Sequence, residues 1–187
     1  EIKNTDFIIA SGSLPPGVPL NIYAQLAKMA KRNNSKFIVD TSGEALKHAV
    51  DEGVYLLKPN IGELSSLAGK KELQTAEVKD IAKGIIAKGK CEVIVVSMGA
   101  GGAMLVTKEI AELISPPPVI RKSTVGAGDS MIAGIVFYLS QGKSLIESVA
   151  YGVACGTAAT LNPGTELCRK KDADRLYALI HASERIK

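Results

Sequence analysis

The segment EVIVVS, residues 92–97, is almost wholly apolar. A strand with one wet face alternates polar and apolar residues, whereas one apolar throughout is covered on both faces, as in a parallel sheet flanked by helices. Three further runs share this character: residues 7–10, 37–40 and 54–57. Between and after them, apolar residues recur at helical spacing over 19–33, 44–52, 61–68 and 76–88, with Pro19 suited to the first helical position. Residues 103–107 read as an antiparallel edge strand, and Pro116-Pro117-Pro118 as a rigid connector leading into an extended stretch. Three helices are expected to finish the chain, over 127–141, 145–161 and 172–184. Alternating strands and helices followed by helices predict an open α/β sandwich over residues 1–187, a single domain, and argue against a barrel.

Composition narrows the partners. With 46% hydrophobic and 22% charged residues, the chain has the profile of an ordinary globular protein. The net charge of +4 is mild and no block of Lys and Arg stands out, so nucleic acid is not an expected partner. No apolar run is long enough to span a bilayer, and no charged-then-apolar leader opens the sequence, so neither membrane nor secretion is expected. Cys91, Cys155 and Cys168 are odd in number and lack a CxxC spacing, which disfavours a disulfide framework or a zinc site and fits a reducing cytoplasm. His48 and His181 both fall in helical stretches and read as structural or solvated. The sequence begins at Glu1 and reaches a strand almost at once, as expected of part of a longer chain.

The ends of the strands gather polar residues. Ser13, Asp40, Lys58 with Asn60, and Ser97 each stand at or just past a carboxyl end. In open α/β sheets that rim is where ligands bind. The segment Ser123-Thr124-Val125-Gly126-Ala127-Gly128-Asp129-Ser130 then leads into an apolar helix. Glycines at a helix start let a ligand approach the backbone, and the free N–H groups and helix dipole there favour an anion. Gly126, Ala127 and Gly128 would thus form an anion hole, and Asp129 a base able to take a proton from an attacking hydroxyl. That combination is what phosphoryl transfer to an alcohol needs. Taken alone, Gly-x-Gly-Asp would serve equally as an ordinary helix start. The P-loop string GxxxxGK[ST] is absent, and Met131 stands where a dinucleotide fingerprint needs its third glycine, which argues against a nicotinamide-dependent oxidoreductase.

Several motifs together resemble the ribokinase-like, or PfkB, carbohydrate kinases. Val125-Gly126-Ala127-Gly128-Asp129-Ser130 is similar to their C-terminal signature, and Lys58-Pro59-Asn60-x-x-Glu63 to their Asn-x-x-Glu motif. Val96-Ser97-Met98-Gly99-Ala100-Gly101-Gly102-Ala103 resembles the strand and turn that carry the nucleotide. Ser11-Gly12-Ser13-Leu14-Pro15-Pro16-Gly17 resembles the sugar-side loop of the phosphofructokinase branch. The four stand in family order, and Asp40-Thr41-Ser42-Gly43-Glu44-Ala45-Leu46 and Gly164-Thr165-x-Leu167-Cys168 point to the 6-phosphofructokinases among them.

The resemblance implies a three-layer α/β/α sandwich with a mostly parallel sheet. It implies ATP and Mg2+ as cofactors and a phosphorylated ketohexose as acceptor, converting fructose 6-phosphate to fructose 1,6-bisphosphate in glycolysis. Fructose 1-phosphate or tagatose 6-phosphate is the alternative acceptor. It carries over Asp129 as base, Gly126, Ala127 and Gly128 as anion hole, and Ser13 at the sugar side. Asn60 and Glu63 would organise magnesium through its waters, with Lys58 near the nucleotide phosphates. Ser97, Gly99 and Gly102 would line the nucleotide pocket. Val153 and Thr157, one helical turn apart, would meet the adenine side, though plain helix packing explains them equally. Ser123, Val125, Ala159, Asn162 and Gly164 resemble a monovalent-cation site for K+, with Glu166 where a close relative carries a basic residue. No Gly-Gly-x-x-x-Asn-x-Ala string occurs, so the family's N-terminal sugar-binding part and β-lid are expected to be missing. The chain alone is then expected to be an inactive nucleotide-binding fragment, and the intact protein a cytoplasmic homodimer.

Overall fold

The computed structural model describes residues 5–184. By internal packing the chain divides into two compact units, Glu1–Ser97 with Met104–Glu112, and Met98–Ala103 with Leu113–Lys187. Among the described residues there are six strands and seven α-helices.

The first unit is built on strands β1 (Phe7–Ser11), β2 (Lys36–Asp40), β3 (Val54–Leu57) and β4 (Cys91–Ser97). They pair in parallel, each with the next, at Ile9 to Ile38, Ile38 to Leu56 and Leu57 to Ile94. Crossovers run through α1 (Ile22–Arg32), α2 (Gly43–Glu52), and α3 (Ile61–Leu67) with α4 (Val78–Ala87). Because strand order follows chain order, right-handed crossovers lay these four helices on one face of the sheet. In β2, Phe37, Ile38 and Val39 are consecutively buried, as are Val93, Ile94, Val95 and Val96 in β4, so both faces of these strands are covered. Each such side chain contributes about 1.5–3 kcal/mol when fully buried. β1 is the sheet's first edge, and Ile9 there is 45% exposed.

Two expectations are corrected. Residues 103–107 do form a strand, β5 (Ala103–Val106), but it lies inside the sheet, because β6 (Ala111–Ile114) follows it and takes the outer position. The Thr107 hydroxyl receives the amides of Glu109 and Ile110 at 3.1 and 2.9 Å, closing a tight turn between them. So short a link permits only an antiparallel pair. The second correction concerns Pro19, which precedes α1 instead of opening it. Its carbonyl accepts the Ile22 amide at 3.0 Å in a turn, and Asn21 takes the N-cap place with its carbonyl accepting the Gln25 amide at 3.0 Å.

The second unit holds α5 (Ala127–Ser140), α6 (Leu145–Ala159) and α7 (Lys170–Glu184). α6 begins with a capping box, in which Ser144 Oγ accepts the Glu147 amide at 3.3 Å and Glu147 Oε2 accepts the Ser144 amide at 3.1 Å. α5 and α6 approach closely, since a Cβ on Gly134 would lie 2.7 Å from Cys155 Sγ. Tyr138 and Tyr151 stack at 3.9 Å between ring centroids, with Tyr177 edge-on to both at 5.2 and 5.3 Å. None of the described helices is long and apolar enough to cross a membrane.

Candidate active site

Parallel pairing puts the carboxyl ends of β1–β4 on one rim of the first unit. The loop after β1 is tied down there. The Gly12 amide donates to the Asp40 carbonyl at 2.9 Å, and the hydroxyls of Thr41 and Tyr23 donate to the Gly12 carbonyl at 2.8 and 3.0 Å. Ser13, next in the loop, is exposed.

Lys58 follows β3 and is 5% exposed. Its amide donates to the Val39 carbonyl at 3.2 Å, which fixes where the side chain leaves the backbone. Its Nζ lies 3.2 Å from Asp40 Oδ2, a carboxylate at the end of the neighbouring strand. A charge this deeply buried persists only when paired.

Asn60 caps α3. Its Oδ1 accepts the Glu63 amide at 2.9 Å, while Glu63 Oε2 accepts the Asn60 amide at 2.8 Å. The Asn-x-x-Glu spacing therefore has a local structural cause, a reciprocal capping box. The same residues form a bridge to β4: Asn60 pairs with Ser97, and the Ser97 amide donates to the Pro59 carbonyl at 2.9 Å. The Ser97 hydroxyl also turns to that carbonyl, at 3.4 Å.

Among the described residues, no three His, Cys, Asp or Glu side chains gather as a metal cage. The donors present, one carboxylate with a second oxygen and one carboxamide, suit a hydrated magnesium ion that keeps its waters and shares the phosphates of a substrate.

In the second unit, Gly126 is the N-cap of α5 with a φ of +73°, in the left-handed region. The left-handed φ favours glycine there; a Cβ would also lie 2.6 Å from Leu167 Cδ2, the end of an exposed side chain that can move aside. No side chain caps this helix. The Gly126 carbonyl receives the Ser130 amide at 2.9 Å, and the Ala127 amide reaches the Thr124 carbonyl at 3.3 Å. Helix geometry supplies no intrahelical acceptor for the amides of Gly128 and Asp129 in this first turn. Asp129 stands in it with an exposed side chain. Next to it, Ser130 is buried, and its Oγ has no hydrogen-bond partner among the described residues.

The segment before α5 and the loop after α6 are joined. Ser123 Oγ donates to the Gly164 carbonyl at 2.7 Å and accepts the Val125 amide at 3.2 Å. The Asn162 amide donates to the Ala159 carbonyl at 3.1 Å, and Asn162 Nδ2 donates to the Leu167 carbonyl at 2.8 Å. Neutral oxygens of this kind suit a monovalent cation, each carbonyl retaining a second lone pair. Glu166 is engaged by Arg169, whose Nε and Nη2 donate to Oε1 at 2.9 and 2.6 Å.

The glycine turn between β4 and β5 closes with the Met98 amide donating to the Gly102 carbonyl at 2.8 Å. Gly102 has a φ of +89°, and a Cβ there would collide with the Ile114 carbonyl oxygen and lie 2.8 Å from Pro116 Cδ. Its glycine is thus demanded by the packing of β6. Gly99, with a φ of +57°, faces open space. Val153 is 1% exposed, and the Thr157 hydroxyl back-bonds to the Val153 carbonyl at 2.7 Å.

Sequence reasoning had placed Asp40 and Lys58 separately on the rim and missed their pairing. Charged residues at the ends of adjacent parallel strands were the available signal. Leu167, packed at Gly126, gave no signal, because its approach depends on how the loop after α6 folds back.

Residues 1–172 match the pattern of the pfkB family carbohydrate kinases. The chain is 44% identical over 181 residues to the ATP-dependent 6-phosphofructokinase isozyme 2 of Escherichia coli K12, covering 96% of this chain and 59% of that protein. It is 34% identical over 184 residues to the 1-phosphofructokinase of Borreliella burgdorferi, covering 98% of this chain and 59% of that protein. Among solved structures, phosphofructokinase-2 from Escherichia coli in complex with potassium superposes with a TM-score of 0.89 at 44% identity, over 94% of this chain and 57% of that one. The chain thus spans less than two thirds of the length of these relatives. With that family's pattern matched across residues 1–172, the chain belongs to the pfkB family of carbohydrate kinases.

Proposed function

We propose that residues 1–187 act as one α/β domain, the nucleotide-binding and catalytic part of an ATP-dependent kinase that converts fructose 6-phosphate to fructose 1,6-bisphosphate. The observation that carries this reading is the start of α5: a helix N-terminus without a side-chain cap, opened by Gly126, with Asp129 in its first turn. Backbone donors and a carboxylate side by side are what an attacking hydroxyl and a transferring phosphoryl group require.

In this reading the sugar hydroxyl attacks the γ-phosphorus of ATP. The new O–P bond forms as the bond to the ADP oxygen breaks, and the hydroxyl proton passes to Asp129. The amides of Gly126, Ala127 and Gly128 hold the negative charge on the phosphoryl oxygens. Lys58 meets the nucleotide phosphates, held ready by Asp40. Asn60 and Glu63 orient the waters of magnesium, which when bound neutralises phosphate charge. Ser97, Gly99, Gly102, Val153 and Thr157 serve the nucleotide side, and Ser13 the sugar side. Ser123, Val125, Ala159, Asn162 and Gly164 offer oxygens to K+. The whole protein works as a cytoplasmic homodimer in the same reading.

A second acceptor, fructose 1-phosphate, is favoured by the 34% identity to the Borreliella burgdorferi 1-phosphofructokinase. The deciding experiment assays the intact protein with ATP and fructose 6-phosphate, fructose 1-phosphate or tagatose 6-phosphate, following ADP release. Preference for fructose 6-phosphate supports the main reading, and preference for another ketohexose phosphate replaces it. Failure to phosphorylate any of them, in a folded protein, overturns it. Calorimetric titration of MgATP into the 187-residue chain asks separately whether the nucleotide site stands without the rest of the protein.

A further inference from the structure

The loop between β1 and α1 is latched at a single carbonyl. β1 and β2 pair in parallel as far as Ser11 and Asp40, and the Gly12 amide carries the ladder one residue further by donating to the Asp40 carbonyl at 2.9 Å. Gly12 then turns the chain with a φ of +98°, a value that glycine adopts at little cost. Its carbonyl accepts two hydroxyls. Thr41 Oγ1 donates at 2.8 Å from just past the end of β2, and Tyr23 Oη at 3.0 Å from the first turn of α1. Both donors are buried, Thr41 at 6% and Tyr23 at 9% exposure.

Two donors on one carbonyl use both of its lone pairs, and hydroxyls so deeply buried need the partner they have found. In a trans peptide a carbonyl and the next residue's amide point in opposite directions. No cis bond occurs among the described residues. With the Gly12 carbonyl turned onto Thr41 and Tyr23, the Ser13 amide is therefore turned away from them. Neither that amide nor the Ser13 hydroxyl has a hydrogen-bond partner among the described residues, and Ser13 is exposed. Two donors of one residue thus stand open on the rim, with their direction set by the latch beneath them. Asp40 links this loop to the nucleotide side, because its carbonyl receives Gly12 while its carboxylate pairs with Lys58 at 3.2 Å.

We propose that Thr41 and Tyr23 are positioning residues for the acceptor sugar phosphate: by latching the Gly12 carbonyl they hold the amide and hydroxyl of Ser13 in the orientation that receives it. Neither side chain touches the sugar in this role; both act through the peptide that joins Gly12 to Ser13. The latch stands on hydrogen bonds within the first unit, whereas its sugar-positioning role rests on the kinase reading above. Without the two hydroxyls this peptide is free to rotate, and binding the sugar must then supply the cost of ordering it. Such a loss weakens acceptor binding and leaves the nucleotide side and the phosphoryl-transfer step unaltered.

The test compares the intact protein with its Tyr23→Phe, Thr41→Val and Thr41→Ser variants, assayed with MgATP and fructose 6-phosphate. Tyr23→Phe and Thr41→Val each delete one hydrogen bond to Gly12 and are expected to raise KM for the sugar phosphate by about 2–10-fold. The KM for MgATP and kcat should stay at the parent's values, and Thr41→Ser, which keeps the hydroxyl, should restore the parent's KM for the sugar. Amide exchange at Gly12 reads the latch without turnover: its protection by the Asp40 carbonyl should fall in Tyr23→Phe and Thr41→Val and persist in Thr41→Ser. Tyr23→Phe removes one oxygen only and stays informative should Thr41→Val fail to fold. An unchanged sugar KM in a folded variant, or both KM values rising together, would overturn the positioning role while leaving the kinase reading intact. Gly12 protection that is the same in every variant would overturn the latch itself. A parent that phosphorylates no ketohexose phosphate would overturn the kinase reading, and the sugar-positioning role with it.

Discussion

Lys58 and Asp40 form an ion pair 3.2 Å long at the end of two adjacent parallel strands, with side chains only 6% and 16% exposed. Removing one member of such a pair strands the other charge, a loss of about 3–5 kcal/mol where burial is complete. The partial exposure of Asp40 places Asp40→Ala at or below the lower end of that range. Urea denaturation of Asp40→Ala is expected to show a drop of about 2–3 kcal/mol. The double variant Asp40→Ala, Lys58→Met is expected to lose less than the two single variants added together. Additive losses would mean that the two side chains act independently.

Asn60 and Glu63 hold each other's backbone amides, and the proposed function asks the same residues to orient a hydrated cation. The two roles separate by substitution. Glu63→Gln retains a side-chain oxygen for the Asn60 amide, so thermal stability should stay within about 1 kcal/mol of the parent. Asn60→Ala removes the cap and should cost about 1 kcal/mol. A glutamine that preserves stability yet raises the magnesium concentration needed for half-maximal turnover in the intact protein supports a metal role. Unchanged magnesium dependence would leave Glu63 as a cap alone.

The parallel core was legible because it rests on period and burial. EVIVVS and the three runs before it read as strands from their apolar character alone, and each proved to pair with the next. β6 was not legible: Ala111–Ile114 includes Glu112, is only partly buried, and takes its place through the turn built on Thr107. Without β6, residues 103–107 looked like the edge. Pro19 misled for a related reason, since a proline that fits a first helical turn also fits the turn before an Asn cap. On the site, the motifs gave residue identities but not partners. The pairing of Lys58 with Asp40, and of Gly126 with Leu167, depends on tertiary contact that local pattern does not encode.

Two glycines of one turn should respond very differently to alanine. Gly102→Ala meets the Ile114 carbonyl and Pro116 as well as a left-handed backbone, whereas Gly99→Ala meets open space and only the backbone cost. The first should lose about 3 kcal/mol or more, and the second about 1–2 kcal/mol. Chemical denaturation of both variants measures the contrast. Equal losses would show that β6 yields easily to the added methyl.

Asp174 sets part of the acid limb of stability. The hydrogen bond from Lys170 and then that from Tyr151 hold its carboxyl below the ordinary value. Such a group stabilises the fold above its unfolded pKa, near 4, and that contribution is lost as pH falls through the lower folded value. Asp174→Asn should therefore lower Tm at pH 7, and the difference from the parent should shrink as pH drops toward 3. A Tm difference that stays constant from pH 7 to 3 would assign the effect to packing of Tyr151 instead of charge.

Asp129 faces the most direct test of the proposed chemistry. Asp129→Asn keeps the size and the helix-start position of the side chain but cannot accept the hydroxyl proton. In the intact protein, turnover should fall by roughly 10²–10⁴-fold, the usual contribution of a general base. Affinity for MgATP, followed by calorimetry, should hardly move, because the backbone donors of Gly126, Ala127 and Gly128 remain. Loss of binding together with turnover would show that Asp129 shapes the helix start, and the proton would then need another acceptor. Near-normal turnover would remove Asp129 from the chemistry altogether.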